Sequence, residues 1–382
     1  MQQRYFHALG NGAFHRIAYT DWGNAGNPHV VVCVHGLARN SRDFDYLADA
    51  LTPECRVVCM DVAGRGESDW LENKSEYRFS TYQNDAAAML ARASAPAGSR
   101  WLDRFSVRGE PRVDWVGTSM GGLIGMLLAA KKNSPIRRLV LNDVGPLIPW
   151  SALLRMKGYI TRGRRFASEA DVEAYLRDVC APFGPLSDEH WHHLARHGAR
   201  RGAGSHYELR YDPAIGEGLH GHIDPEFPLG PNLMRGIDLW NIWGKVQCPT
   251  LVVRGAQSEV LLPATLTEMR ARKPDLEVAE FPGVGHAPAL MSEGQIQVVK
   301  DFLLRLSRLP SCWSRPPCTP PSRCRPCMRR ARASPCRAFP PALIWRCSCT
   351  SPTRRAFQAS ARSPAGLTTA RKAACSPRST TA

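Results

Sequence analysis

No aspartate or glutamate occurs after Asp301 in this 382-residue chain, yet 16 of its 50 lysines and arginines lie there. Up to Asp301 the count is 34 basic against 34 acidic residues, so the formal charge of +16 belongs to the tail alone. That split excludes reading the global charge as a nucleic-acid signature of the main body. Long apolar runs are also missing: none approaches the roughly 18 residues of a membrane span. The opening Met-Gln-Gln-Arg-Tyr-Phe-His has no apolar core of a signal peptide. Cysteine is sparse in the body, with five of 13 there and eight in the tail. Cys33 and Cys59 sit in apolar runs and read as buried free thiols. These absences together predict a reducing, cytoplasmic setting and no membrane partner.

The tail, residues 307–382, is rich in Arg, Pro, Ser, Ala and Cys and shows no sustained periodicity. It is expected to be disordered, since it offers nothing to bury. Cys324-Arg325-Pro326-Cys327 admits a zinc reading, but the paired spacings of a four-ligand site are missing. A basic nucleic-acid-binding tail is a second reading. The preferred one is GC-rich DNA translated in the wrong frame, starting just after the last helix. The fold is then expected to survive removal of the tail.

The body reads as α/β. Residues 4–8 and 14–20 suggest a hairpin around Asn11-Gly12. His29–Val34 and Arg56–Met60 are continuous apolar runs, as in strands buried on both faces. Helix patterns at Phe44–Leu51 and Tyr82–Ala93 alternate with them, and a polar insertion covers 96–112. Further strands are expected at Arg138–Asn142, Pro249–Arg254 and Leu276–Phe281. Strands alternating with helices indicate a mostly parallel sheet, whose ligands bind beyond the carboxyl ends of its strands. Residues 147–235 break the alternation and read as an inserted helical cap without strands. They divide a core of residues 1–146 and 236–306. Ser292-Glu293-Gly294-Gln295 has the spacing of a capping box before the last helix.

Val113-Asp114-Trp115-Val116-Gly117-Thr118-Ser119-Met120-Gly121-Gly122 organises the chemistry. A strand runs into a Gly-x-Ser-x-Gly turn and a helix leaves it, the context a nucleophile elbow needs. The turn projects Ser119 above the sheet, while the helix N-terminus faces developing negative charge. A base must take the serine proton, and His286 follows the last strand in a glycine-flanked loop. An acid must fix the imidazole tautomer. Glu259, after the preceding strand, is the first choice, and Asp143, ending the strand beside the elbow, is the rival. The N–H groups of Leu37 and Met120 are candidate oxyanion donors, and His35 is assigned to shaping the Leu37 loop.

Other motifs exclude more than they include. Gly64-Arg65-Gly66 lacks the third glycine of a dinucleotide fingerprint and reads as a tight turn. His193 and His197 are four residues apart, but no glutamate follows His193, so a solvated helix face is expected instead of a metal site. Trp150, Leu153, Met156 and Tyr159 are candidate pocket-lining residues, equally explained by core packing.

His35-Gly36-Leu37, Gly64-Arg65-Gly66-Glu67-Ser68, Gly117-Thr118-Ser119-Met120-Gly121-Gly122, Arg254-Gly255-Ala256-Gln257-Ser258-Glu259 and Gly283-Val284-Gly285-His286 together resemble the α/β-hydrolase superfamily. The resemblance spans about residues 14–306. It implies an eight-stranded, mostly parallel sheet with a helical lid after the sixth strand, and a Ser119–acid–His286 triad working without cofactor or metal. Capped esterases and carbon–carbon bond hydrolases of aromatic-ring degradation are the most similar members. Haloalkane dehalogenases and epoxide hydrolases use an aspartate nucleophile, and Ser119 argues against both. Such families usually carry Asp as the acid, so Glu259 departs from the pattern and keeps Asp143 in play.

The expected activity is a serine hydrolase acting on a small-molecule carboxylic ester or thioester. Cleavage of a carbon–carbon bond in a vinylogous diketone acid is the alternative enzyme, with Arg39 the nearest cation for the acid end. A ligand-binding homologue that lost turnover is the non-enzymatic alternative. The core is expected to bind no nucleic acid, and the oligomeric state is left open.

Overall fold

The computed structural model describes residues 1–95, 112–160, 163–219, 232 and 234–305. The tail and the expected insertion at 96–112, apart from Arg112, lie outside the described residues. The chain opens with the expected hairpin, β1 (Gln2–Leu9) and β2 (Phe14–Trp22). Then come β3 (His29–Val34), α1 (Asp45–Leu51), β4 (Arg56–Met60), α2 (Phe79–Ala93), β5 (Arg112–Thr118), α3 (Met120–Ala129) and β6 (Ile136–Asn142). The next stretch holds β7 (Leu147–Pro149), α4 (Trp150–Ile160), β8 (Arg165–Phe166), α5 (Glu169–Val179), α6 (Asp188–Gly198), β9 (Ala199–Arg201), β10 (Tyr207–Leu209) and β11 (Gly236–Asp238). The chain continues through α7 (Trp240–Trp243), β12 (Thr250–Gly255), α8 (Pro263–Arg272), β13 (Glu277–Phe281) and α9 (Glu293–Leu304).

Eight strands form one sheet in the order β1-β2-β4-β3-β5-β6-β12-β13. The pairs β1/β2 and β2/β4 are antiparallel, and the pairs from β4 to β13 are parallel. The chain leaves β3 toward β4 on one side and reaches β5 on the other, so the order reverses there. Crevices form at such reversals, beyond the strand ends.

Why β3 is apolar throughout follows from its two faces. Val30, Val32 and Val34 pack on the side of α2, α3 and α8, while Val31 and Cys33 pack on the side of α1 and α9. Side chains alternate across a strand, so both sets must be apolar when helices cover both faces. Cys33 and Cys59 are buried free thiols on adjacent strands, as expected.

Residues 147–235 depart from the strandless expectation. β8, β10 and β9 form a three-stranded sheet, and β7 pairs with β11. Strands of two or three residues are too short to leave a period-two signature in the sequence. The helix starts there were legible: Ser168 and Asp171 make a reciprocal capping box on α5, and Ser187 accepts the His190 N–H on α6. The box expected at Ser292 does not form, because Gln295 turns back to accept the Leu290 N–H at 2.8 Å. Among the described residues, no helix is long and apolar enough to cross a membrane.

Candidate active site

Trp115, fully buried in β5, donates its indole N–H to the Gly121 carbonyl at 3.0 Å. That bond ties the strand to the turn that follows it. At Ser119 the backbone enters φ 51°, ψ −114°, a region costing a non-glycine residue of order 1–3 kcal/mol. The flanking glycines let it do so. A Cβ at Gly117 would fall 2.3 Å from the Gly121 oxygen, and one at Gly121 would fall 2.0 Å from the Val34 oxygen. Any side chain at either position would push α3 off the strand ends.

His286 lies in the loop after β13 and reaches across the strand ends. Its Nε2 stands 2.9 Å from Ser119 Oγ, and its Nδ1 stands 2.8 Å from Asp143 Oδ2. A carboxylate only accepts, so the imidazole proton sits on Nδ1 and Nε2 accepts from the serine hydroxyl. Asp143 is fully buried; its Oδ1 accepts the Gly255 N–H at 3.0 Å and its Oδ2 accepts the Ser258 hydroxyl at 2.6 Å. A buried carboxylate needs hydrogen-bond donors, and these supply them.

Glu259, the first-choice acid, is not beside His286. Its side chain is 62% exposed and pairs with Arg155, whose side chain is also mostly exposed. The loop after β12 turns Ser258 inward onto Asp143 and sends Glu259 outward. The rival, Asp143, is the acid the fold brings to the imidazole. Ser258 was visible in the motif but carried no separate signal, since a lone serine beside an acid reads as a turn residue.

Leu37 and Met120 flank Ser119. A Cβ at Gly36 would be 3.7 Å from Ser119 Cβ, which sets the Leu37 loop against the serine. Met120 opens α3, so its N–H has no acceptor within the helix. Arg65, missed from the sequence, is fully buried and locks this corner. Its Nε donates to the Leu37 carbonyl at 2.9 Å, its Nη1 donates to Ala63 O at 2.7 Å and Tyr82 Oη at 2.9 Å, and its Nη2 lies 3.8 Å from Met120 Sδ. The Gly64-Arg65-Gly66 stretch is the tight turn expected, with positive φ at both glycines. A Cβ at Gly66 would strike the Asp61 carboxylate at 2.3 Å.

His35 shapes the loop as expected. Its Nδ1–H donates to Gly36 O at 2.7 Å and its Nε2 accepts the Val62 N–H at 3.0 Å. Complete burial pushes its pKa down to about 4. The unfolded chain therefore binds a proton between about pH 6.5 and 4 that the folded chain refuses, so stability rises with pH there. This group's contribution is complete above about pH 6.5 and is lost as pH falls to about 4, by ~3 kcal/mol. We expect the urea midpoint to fall across that window, with His35 still neutral by NMR at pH 5. A protonated His35 in folded protein at pH 6 would contradict this.

The serine and histidine open into a pocket enclosing about 770 Å³, partly open to solvent. Leu37, Leu176, Val179 and Phe183 give it apolar walls, and Arg39 is the one guanidinium or ammonium among the described residues that line it. Of the four predicted lining residues, Met156 lines it. Leu153 packs against the core, Trp150 does not line the pocket, and the Tyr159 side chain lies outside the described residues. Cys180 lines the pocket too, but burial pushes its thiol up to about 11, which removes it as a nucleophile.

His192 of α6 is solvent-exposed as expected, but His193 and His197 are not on a solvated face. His193 donates to the Arg42 carbonyl at 2.9 Å, and His197 Nδ1 accepts from Arg42 Nη1 at 3.2 Å. Asp45, His193 and His197 lie close enough to suggest a metal, but the Arg42 guanidinium already pairs with Asp45 and His197. That cation occupies the charge the group offers.

Comparison with known proteins agrees with this architecture. A model of the alpha/beta hydrolase family matches residues 31–299. A 3-hydroxybutyrate-oligomer hydrolase of Cupriavidus necator is 39% identical over 291 residues, covering 75% of this chain and 92% of that protein. A Novosphingobium aromaticivorans alpha/beta hydrolase superposes with a TM-score of 0.65 at 29% identity, over 80% of this chain and 98% of that one. A Rickettsia typhi crystal structure gives 0.69 at 28% identity, over 80% and 100%. With the sheet, the serine turn and these relatives in agreement, the chain belongs to the alpha/beta hydrolase family and is a hydrolase.

Proposed function

We propose that the chain is a cofactor-free serine hydrolase of carboxylic esters, acting through an acyl-enzyme on short hydroxy-acid oligomers. The observation that carries this reading is the unbroken chain from Ser119 Oγ through His286 to buried Asp143, at 2.9 and 2.8 Å. His286 Nε2 takes the hydroxyl proton as Ser119 Oγ attacks the ester carbonyl. The Met120 and Leu37 N–H groups receive the charge that develops on the carbonyl oxygen. Losing one such donor typically costs about 2.7–4 kcal/mol of transition-state stabilisation. The new imidazolium is held by Asp143 and passes its proton to the leaving alcohol oxygen as the ester C–O bond breaks. Water repeats the cycle on the acyl-enzyme and frees the acid. Residues 147–235 act as a cap, supplying Met156, Leu176 and Cys180 to the pocket.

The substrate class draws on the Cupriavidus necator relative, which is a 3-hydroxybutyrate-oligomer hydrolase. The largely apolar pocket suits a short methylated chain. The test is labelling with a fluorophosphonate, followed by intact mass and peptide mapping. One adduct per chain is expected, on Ser119, together with release of 3-hydroxybutyrate from its linear dimer. Folded protein that takes no label and releases no acid would overturn the reading.

A further inference from the structure

Arg39 sits one turn beyond Gly36, whose carbonyl accepts the Arg39 N–H at 3.2 Å. That turn is the one that rests against Ser119. The Arg39 side chain is 12% exposed and lines the pocket shared by Ser119 and His286. Asp43 holds two of its three nitrogens, Nε at 2.8 Å and Nη2 at 2.6 Å. The third, Nη1, has no hydrogen-bond partner among the described residues, and it is not among the polar atoms sealed away from space. It stands 3.6 Å from where a Cβ of Gly198 would be, and Gly198 lines the same pocket. The missing side chain at 198 leaves room in front of the two free N–H groups. Among the described residues, no carboxylate side chain lines this pocket.

We infer that Arg39 recognises a free carboxylate on the substrate, so that the enzyme selects esters bearing an open carboxyl end. The inference rests on the ester-hydrolase reading and deepens it. In an oligomer of hydroxy acids, the terminal carboxylate belongs to the alcohol side of the last ester. Binding it at Nη1 places that last ester nearest Ser119, and one hydroxy acid leaves per turnover. Asp43 fixes the guanidinium plane beforehand, so little side-chain freedom is lost on binding. Among apolar walls, the charge-assisted bond is stronger than it would be in water. A methyl ester of the same oligomer keeps the scissile bond and loses only the charge.

The experiment compares the linear 3-hydroxybutyrate dimer with its methyl ester, in the wild type, Arg39→Gln and Arg39→Lys. The wild-type kcat/KM ratio is expected to favour the free acid by about ten- to hundredfold, the range for a hydrogen bond to a charged group. In Arg39→Gln the ratio should fall to about one, and Arg39→Lys should restore part of it because the charge returns. A wild-type ratio near one, or a ratio that Arg39→Gln leaves intact, would overturn the inference. Calorimetry on Ser119→Ala protein reads the same preference without turnover and separates the two claims. Labelled Ser119 with indifferent binding leaves the hydrolase and removes the Arg39 role. Selective binding that needs Arg39, with no label on Ser119, keeps the carboxylate site and removes the hydrolase.

Discussion

Ser119→Ala is expected to lower kcat on a short ester by about 10⁴- to 10⁶-fold, the range seen when one member of such a unit is removed. The hydroxyl is the only atom lost, and Ala keeps the Cβ that already tolerates φ 51°. The urea midpoint should therefore move little. KM should also change little, because the lost contact is made mainly in the transition state. Residual turnover would come from the Leu37 and Met120 N–H groups and from substrate positioning. Stopped-flow kinetics on a chromogenic ester, alongside the denaturation curve, reads both quantities. A Ser119→Ala enzyme within tenfold of the wild type would place the nucleophile elsewhere.

The second large effect separates the two acids. Asp143→Asn should lower kcat by about 10³- to 10⁴-fold, as loss of tautomer control does in serine enzymes of unrelated fold. The carboxylate accepts from Gly255 N–H, Ser258 Oγ–H and His286 Nδ1–H. An amide has one accepting oxygen, so at least one of these donors would face an N–H₂ group. The imidazole would then favour a proton on Nε2, where it blocks the serine. Because Asp143 is fully buried, some stability should be lost too. Glu259→Gln removes one side of an exposed pair with Arg155. Such pairs are worth about 0–1 kcal/mol, so stability should fall by no more than about 1 kcal/mol, and kcat should stay close to that of the wild type because the pair lies away from His286. Steady-state kinetics on both variants decides the matter. A larger fall in Glu259→Gln than in Asp143→Asn would return the acid role to Glu259.

Much of the fold was legible because its signals are local. His29–Val34 and Arg56–Met60 are strands over the residues read from the sequence, since a strand covered on both faces must be apolar throughout. The serine turn was legible because only glycine fits where the Gly121 and Val34 backbones crowd it. The loss of the capping box at Ser292 shows the limit of such reasoning. Its spacing was right, but Gln295 found a better-placed donor at Leu290, where the backbone takes a positive φ that spacing does not record. His193 and His197 depart from expectation for a different reason, because Arg42 and Asp45 reach them from far earlier in the chain.

Residue type and order alone carry the neutral body and the basic tail, the strand–helix alternation, and Ser119 and His286 as a candidate pair, which the fold brings to 2.9 Å. Each follows from residue type and near-neighbour spacing, which chain order records directly. Which carboxylate stands beside the imidazole is visible only in the tertiary structure. β6 and β12 are adjacent parallel strands, so Asp143 and Glu259 leave the same edge of the sheet from neighbouring positions. Spacing cannot separate them, because each is close enough to the His286 loop. What separates them is side-chain direction. Asp143 takes a backbone φ of 57° and is fully buried beneath the imidazole. Ser258 fills the inward place on the β12 loop, and Glu259, one residue on, faces solvent.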